Sequence, residues 1–451
     1  MDVPEPQYVK TRDGAYIAYQ VVGDGPVDIA WQLGHLGDID LVWGLPWEST
    51  WFEGLASFAR VILHDRRAAG LSSRNVAAPN LETRAADLRA VLDAAGSRSA
   101  VLGGKFASLC PCVLLAGSDP DRVRALVKWN PLPRTINAPD YPWALSQDDA
   151  AQELERLKHW GTVEYARSWA EEFHSRNRLP MPSGEELRAL ASLSRHTCSP
   201  DVAAELTRIW WDSDVRGVLA SVQAPTLLIT GEGEWKNTEA AEYVATLIPH
   251  AEVKVFPGGE WPSGREQRER YARPRLEAIQ RFVGIEPRRS AMDTILSTVL
   301  FTDIVGSTDH QARLGDHDWK DLVEHHHAIV REALGGWRGV ENDTAGDGFY
   351  ATFDGPARAI HCALEIRDRV HELGIEIRAG VHTGECELID GKYAGIAVTT
   401  GARISALAEP SQVFVSQTVK DLVAGSGFTF ESAGEHDLKG VPDRWRLFSA
   451  S

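Results

Sequence analysis

Between residue 27 and about residue 284, short apolar runs alternate with helical stretches, and no other feature of the chain limits its fold so strongly. The strand candidates are Val27–Gln32, Val61–His64, Ala100–Gly103, Ala125–Lys128, Thr226–Thr230 and Val253–Phe256. Helical patterns lie between several of them, such as Thr83–Ala95 before Gly96 and Glu266–Val283 before Gly284. Strands separated by helices pair as a parallel sheet covered on both faces. Residues 140–214 break the rhythm. They are helical and rich in Trp and Arg, which predicts a cap inserted into the α/β domain of residues 1–284.

Residues 285–297 read as a linker, because Pro287 and the charged pair after it stop any incoming helix. A second domain, 298–451, has another order. Thr298–Ile304 is a predicted strand and Asp318–Leu334 a helix with Trp319, Leu322, Val323, Val330, Ala333 and Leu334 on one face and Gly335 at its end. Gly339–Thr344 and Phe349–Phe353 form a hairpin around Ala345–Gly348. A helix from Pro356 to Gly374 and a strand Ile375–His382 complete a βαββαβ, ferredoxin-like α+β unit.

Lys+Arg is 47 against Asp+Glu 64, a formal charge of −17. Such a surface repels phosphate backbones and anionic lipid, so neither nucleic acid nor a membrane is an expected partner. A nucleotide remains compatible where metal ions screen the carboxylates. The first residues show no signal-peptide pattern, no apolar run reaches spanning length, and the five cysteines lack CxxC pairs. The expectation is a cytoplasmic protein with reduced thiols.

The first domain resembles the α/β-hydrolase fold over residues 8–284, on Asp65–Ser72, on the strand-to-helix junction Val101–Ser108, on Pro225–Ile229 and on Pro257–Pro262. Working members carry a serine at the centre of G-x-S-x-G. Here that position is Phe106, which has no nucleophilic atom. The histidine position falls on Trp261, which is not a base, and Glu232 or Glu234 would be an acid with nothing to orient. Ser108, two residues past the elbow, would face elsewhere. Two readings stand beside a small remainder for hydrolysis: a retained scaffold, or a pocket for a small apolar ligand lined by Trp160, Trp169, Trp210 and Trp211, which suit helix packing equally well.

In the second domain, Asp303 ends the first strand and Asp347 sits in the hairpin turn. The split βαββαβ order puts these two places side by side, and two convergent carboxylates suit divalent cations gripping a polyphosphate. Unrelated turn aspartates are the alternative. The block resembles the catalytic domain of class III nucleotide cyclases over residues 296–449. The carriers are Phe301–Thr308, Thr344–Phe353, Arg378–Glu385, Gly395–Arg403 and Leu438–Gly440. A hydrolase-like domain before a cyclase domain is similar to a known bacterial subgroup. The resemblance implies attack of the ribose 3′-oxygen of ATP on the α-phosphorus at a homodimer interface, with two Mg²⁺ or Mn²⁺ ions at Asp303, Ile304 and Asp347. It also implies transition-state stabilisation by Arg403, phosphate binding by Lys439 and ribose positioning at Thr399.

The chain departs from the family pattern at the base-reading pair. Adenine-specific members have lysine and aspartate where this chain has Asp343 and Lys392, so the charges are exchanged. Adenine read with roles reversed, guanine (hence GTP), and a mutual ion pair that reads nothing all remain open, with ATP held slightly ahead. Thr399 replaces an asparagine and Glu385 stands where some members have a phosphate-binding arginine, which predicts weaker turnover. The triplet His325-His326-His327 is expected to be solvated helix surface.

Overall fold

The computed structural model describes residues 3–34, 37–176, 181–232, 237–257, 264–284, 294–389 and 392–451. It divides into two compact units, Met1–Arg289 and Ser290–Ser451.

The first unit is built on an eight-stranded sheet of β1 (Gln7–Lys10), β2 (Tyr16–Val22), β3 (Asp28–Gln32), β4 (Arg60–His64), β5 (Ala100–Lys105), β6 (Val123–Trp129), β7 (Thr226–Gly231) and β8 (Ala251–Phe256), in the order β1-β2-β4-β3-β5-β6-β7-β8. From β4 to β8 all pairings are parallel; β1 and β2 run antiparallel at one edge. Those first two strands escaped the sequence reading because they precede the alternation it relied on. Helices Pro46–Ala56 and Arg265–Val283 cover one face with a core of Trp31, Trp51, Phe52, Val101, Val127 and Ile279. Helix Leu81–Ala94 lies on the other side, begun by Asn80, whose side chain accepts the Thr83 N–H, and stopped near Gly96 at φ +68°. The cap contains four helices, Gln147–Leu157, Val163–Arg176, Gly184–Thr197 and Pro200–Asp212.

The second unit has β9 (Thr294–Ile304), β10 (Val340–Ala345), β11 (Gly348–Phe353), β12 (Ile377–Ile389), β13 (Lys392–Ala394), β14 (Val413–Ser416), β15 (Phe430–Asp437) and β16 (Arg444–Ala450). The sheet order is β10-β11-β9-β12-β14-β16-β15, with β13 on β12. Its first four strands, β10-β11-β9-β12, follow the arrangement expected of a βαββαβ unit. The helix expected to stop at Gly335 runs over Asp316–Trp337. Trp337 holds the last turn in place, its indole N–H donating to Glu365 at 2.8 Å, and Arg338 ends the helix in the left-handed region at φ +60°. No described helix is long and apolar enough to cross a membrane.

Burial pushes the His64 imidazole down to about 4, helped by Arg84 and Arg66, and burial alone does the same to His382. A histidine kept neutral by the fold contributes stability above its unfolded value near 6.5, and that contribution is lost as pH falls from there toward 4. The second unit holds another, His326, lowered to about 4 by burial and by His327. Urea midpoints of the full chain are therefore expected to fall steadily between about pH 6.5 and 4, and His382→Phe is expected to lessen the fall of the second unit, with His326 carrying the remainder.

Candidate active site

Strand β9 places Asp303 at its end, directly opposite Arg378 on β12. The Arg378 guanidinium donates to the Asp303 carboxylate at 2.7 Å, and both side chains keep about a third of their surface exposed (36% and 37%). Asp347 arrives from the β10–β11 turn, where Gly346 takes φ +66°. Its carboxylate accepts the backbone N–H of Ile304 at 3.2 Å. Partial burial raises the Asp347 pKa, and the charge of Asp303 pushes it the same way, with a hydrogen bond between the two carboxyls when Asp347 holds a proton. The two aspartates thus meet.

A carboxyl whose proton affinity is raised by burial and a neighbouring carboxylate marks a site in which a cation can replace the proton. Among the described residues no group of three or more His, Cys, Asp or Glu side chains gathers anywhere. An ion here would draw its other ligands from backbone oxygens and from phosphate, which suits Mg²⁺ and Mn²⁺. Ile304 is buried in the core and offers only its backbone carbonyl.

Arg403 lies exposed on helix Ile396–Leu407, and its Nε–H donates to the Lys439 carbonyl at 3.2 Å. Lys439, also exposed, is in the loop between β15 and β16. Neither has a carboxylate partner among the described residues, whereas Arg331, Arg358, Arg369, Arg378 and Arg446 of this unit are all ion-paired. Within one chain Asp303 meets Asp347, and Arg403 meets the Lys439 backbone.

Asp343 is exposed on β10 at a bulge, opposite Tyr350, and its carboxylate accepts the N–H of Thr344 at 3.0 Å. Lys392 stands on β13 opposite Ile389; its side chain lies outside the described residues. The Thr399 hydroxyl donates back to the Gly395 carbonyl at 3.4 Å.

Three features were missed from sequence. Arg378 lay inside a quoted motif, and the antiparallel register of β9 and β12 was the unused signal. Tyr350 stacks on Phe301 at 4.6 Å on the Asp303 face of the sheet. The histidine triplet needs correction: His326 is fully buried against Phe349, and His327 Nε2–H donates to the Gly346 carbonyl at 3.0 Å in the β10–β11 turn. His326 is four residues from Leu322 and from Val330, so it belongs to the apolar stripe of its helix rather than to its solvated face.

In the first unit the elbow geometry persists without its chemistry. Phe106 takes φ +52°, the left-handed conformation of a strained turn. The preceding Lys105 pairs with Glu48 at 3.1 Å and lies over the rings of Trp47 and Trp129 at 5.7 and 5.4 Å. The Ser108 hydroxyl is buried and points under Gly104. Glu234 and Trp261 lie outside the described residues, and Glu232 is exposed after β7. Trp160 donates to the Cys198 carbonyl at 2.9 Å and packs on Leu157 and Tyr165, Trp211 packs on Ile136 and Ala150, and Trp169 packs beside Leu187. These three serve cap packing.

Comparison with known proteins agrees with both halves. An uncharacterised protein of Mycobacterium tuberculosis is 33% identical over 150 residues, 32% of this chain and 52% of that protein. The chain thus spans about half the length of that relative. The solved bromoperoxidase from Bacillus anthracis (17% identity, TM-score 0.52) and the esterase from Exiguobacterium antarcticum (17%, TM-score 0.51) each match over 62% of this chain and their whole length. At that identity they show a shared fold, the α/β-hydrolase fold of the first unit. Residues 291–449 match the family model of the adenylate and guanylate cyclase catalytic domain, so the unit in which Asp303 and Asp347 meet carries a nucleotide cyclase domain.

Proposed function

We propose that the chain is an adenylate cyclase, converting ATP to 3′,5′-cyclic AMP and pyrophosphate in a homodimer. The observation that carries this reading is the Asp303–Asp347 contact inside the domain matched by the cyclase model. Two Mg²⁺ or Mn²⁺ ions, bound at Asp303, Asp347 and the Ile304 carbonyl, would supply Lewis acidity toward the triphosphate. The chain's own groups then divide the remaining work. Arg403 neutralises charge at the transferring phosphoryl, Lys439 binds the terminal phosphates, and Thr399 positions the ribose. In the homodimer that the cyclase likeness implies, a second copy supplies Arg403, Lys439 and Thr399 to the carboxylates of the first. The first unit, with its fold kept and its nucleophile absent, serves as a regulatory or structural partner.

A second reading, guanylate cyclase, is favoured by Asp343. Its exposed carboxylate can accept from guanine N1–H and the 2-amino group while Lys392 donates to O6. A product assay with ATP and GTP in parallel, with Mn²⁺ and then Mg²⁺, tests both. Cyclic AMP as main product supports the first reading and cyclic GMP the second; nucleotide binding without pyrophosphate release removes both. In the adenine case, exchanging the pair as Asp343→Lys with Lys392→Asp is expected to raise ATP kcat/KM by about tenfold or more, the scale of one well-placed charge-assisted hydrogen bond.

A further inference from the structure

The first unit contains an unusual line of polar groups in the interior of its sheet. The register pairs His64 on β4 with Gln32 on β3, Gln32 with Gly104 on β5, and Gly104 with Lys128 on β6. Paired residues on adjacent parallel strands share a face, so His64, Gln32 and Lys128 form one transverse row, with Ser108 above the gap that Gly104 leaves. All four side chains are buried, Lys128 completely.

Their partners do not balance their charge. Lys128 Nζ donates to the Ser108 carbonyl at 3.3 Å and to Cys112 Sγ at 3.0 Å, and no carboxylate contacts it among the described residues. Gln32 Nε2 also donates to Cys112 Sγ, at 3.1 Å. His64 Nδ1 and Ser108 Oγ are buried with no hydrogen-bond partner among the described residues. Arg84, from helix Leu81–Ala94, adds a second positive group, and burial first, then its charge, opposes protonation of His64, Arg66 and Lys128. The neighbouring acids answer this charge only in part, and Asp87 does so through space toward Arg84. Asp87 is held by Arg67 at 2.6 and 2.9 Å, and Asp65 accepts the N–H groups of Ile39 and Leu71.

A fully buried lysine with no carboxylate in contact among the described residues is costly to charge, and two unmet polar atoms beside it add to the cost. We propose that the row His64–Gln32–Gly104–Lys128, with Ser108 and Arg84, is a binding site for one small oxyanion, a carboxylate- or phosphate-bearing molecule. Lys128 and Arg84 bind its charge, and the Ser108 hydroxyl and His64 donate to its oxygens. Arg66 and Arg84 are both half-buried. The occupant differs in kind from the apolar ligand expected from the cap tryptophans, and the site is independent of the cyclase reading.

The test is thermal unfolding of the full chain followed by tryptophan fluorescence, which reads mainly the first unit because 12 of the 15 tryptophans precede residue 285. Inorganic phosphate, acetate and chloride are compared at equal ionic strength. Phosphate or acetate, whichever matches the headgroup, is expected to raise the midpoint by several degrees over chloride, as mass action requires of a ligand bound only to the folded state. Arg84→Gln and Ser108→Ala are each expected to weaken apparent anion affinity by about tenfold. Lys128→Met is expected to abolish the shift; if that variant does not fold, the two milder ones decide. No shift beyond chloride, a shift unchanged in Arg84→Gln and Ser108→Ala, or a shift lost in Lys439→Ala, which would put the anion in the other unit, each overturns the proposal.

Discussion

Asp303→Ala and Arg403→Ala are each expected to lower kcat by at least about a hundredfold, and mixing the two dead proteins is expected to bring activity back. Asp303 is half of the carboxylate pair, and its loss leaves Asp347 alone to hold cationic charge against the triphosphate. Arg403 is exposed, without a carboxylate partner among the described residues, and tied only to the Lys439 carbonyl, so its removal disturbs little besides charge stabilisation. In a two-fold dimer whose sites each take carboxylates from one copy and cations from the other, a mixed dimer contains one intact site and one doubly defective site. Equal mixing with free exchange makes half the dimers mixed, so about a quarter of wild-type activity is expected. A mixture no more active than its components would show that a site closes within one chain or does not form.

The second large effect is expected at Gly380→Val. A Cβ at Gly380 would lie 2.2 Å from the backbone nitrogen of Ser405 and 2.9 Å from the carbonyl oxygen of Gly401, and neither can move without moving the helix. On the same helix, a Cβ at Gly401 would come 2.5 Å from a Val299 methyl carbon on β9. Helix Ile396–Leu407 thus rests on the sheet backbone to backbone, and that seating positions Thr399 and Arg403. A branched side chain must lift it, at an expected cost of about 3 kcal/mol or more and with loss of cyclase activity. Gly336 is the control. It is helical, and a Cβ added there would meet no atom within 4 Å, so Gly336→Ala is expected to stabilise by up to about 1 kcal/mol. Urea unfolding and cyclic-nucleotide production on both variants check the pair, and near-wild-type behaviour of Gly380→Val would contradict the backbone contact.

The legible part of the site was the part carried by local rules. The β10–β11 turn was readable from Ala345–Gly348, and the end of β9 from its apolar run, so Asp303 and Asp347 followed from topology. Arg378 was hidden because its partner depends on which residue of β12 lies opposite Asp303, a matter of register across distant segments. Strand β12 itself runs on to Ile389, well past the expected His382, since pairing with β9 and β13 holds residues of weak local preference. His326 was misread for the opposite reason: its polar type outweighed a position that the helical period had already assigned to the core.

By itself the sequence determined an α/β unit and an α+β unit of different rhythm, a nucleophile elbow with no nucleophile, and two aspartates that a split βαββαβ order brings together. Those conclusions need only chain order, periodicity and residue chemistry, which act over short spans. The tertiary structure alone decided that Asp303 pairs with Arg378 and that His64, Gln32 and Lys128 align across the first sheet. Each of these is set by strand register and sheet order, which come from burying distant segments against one another and leave no mark on any local stretch of residues.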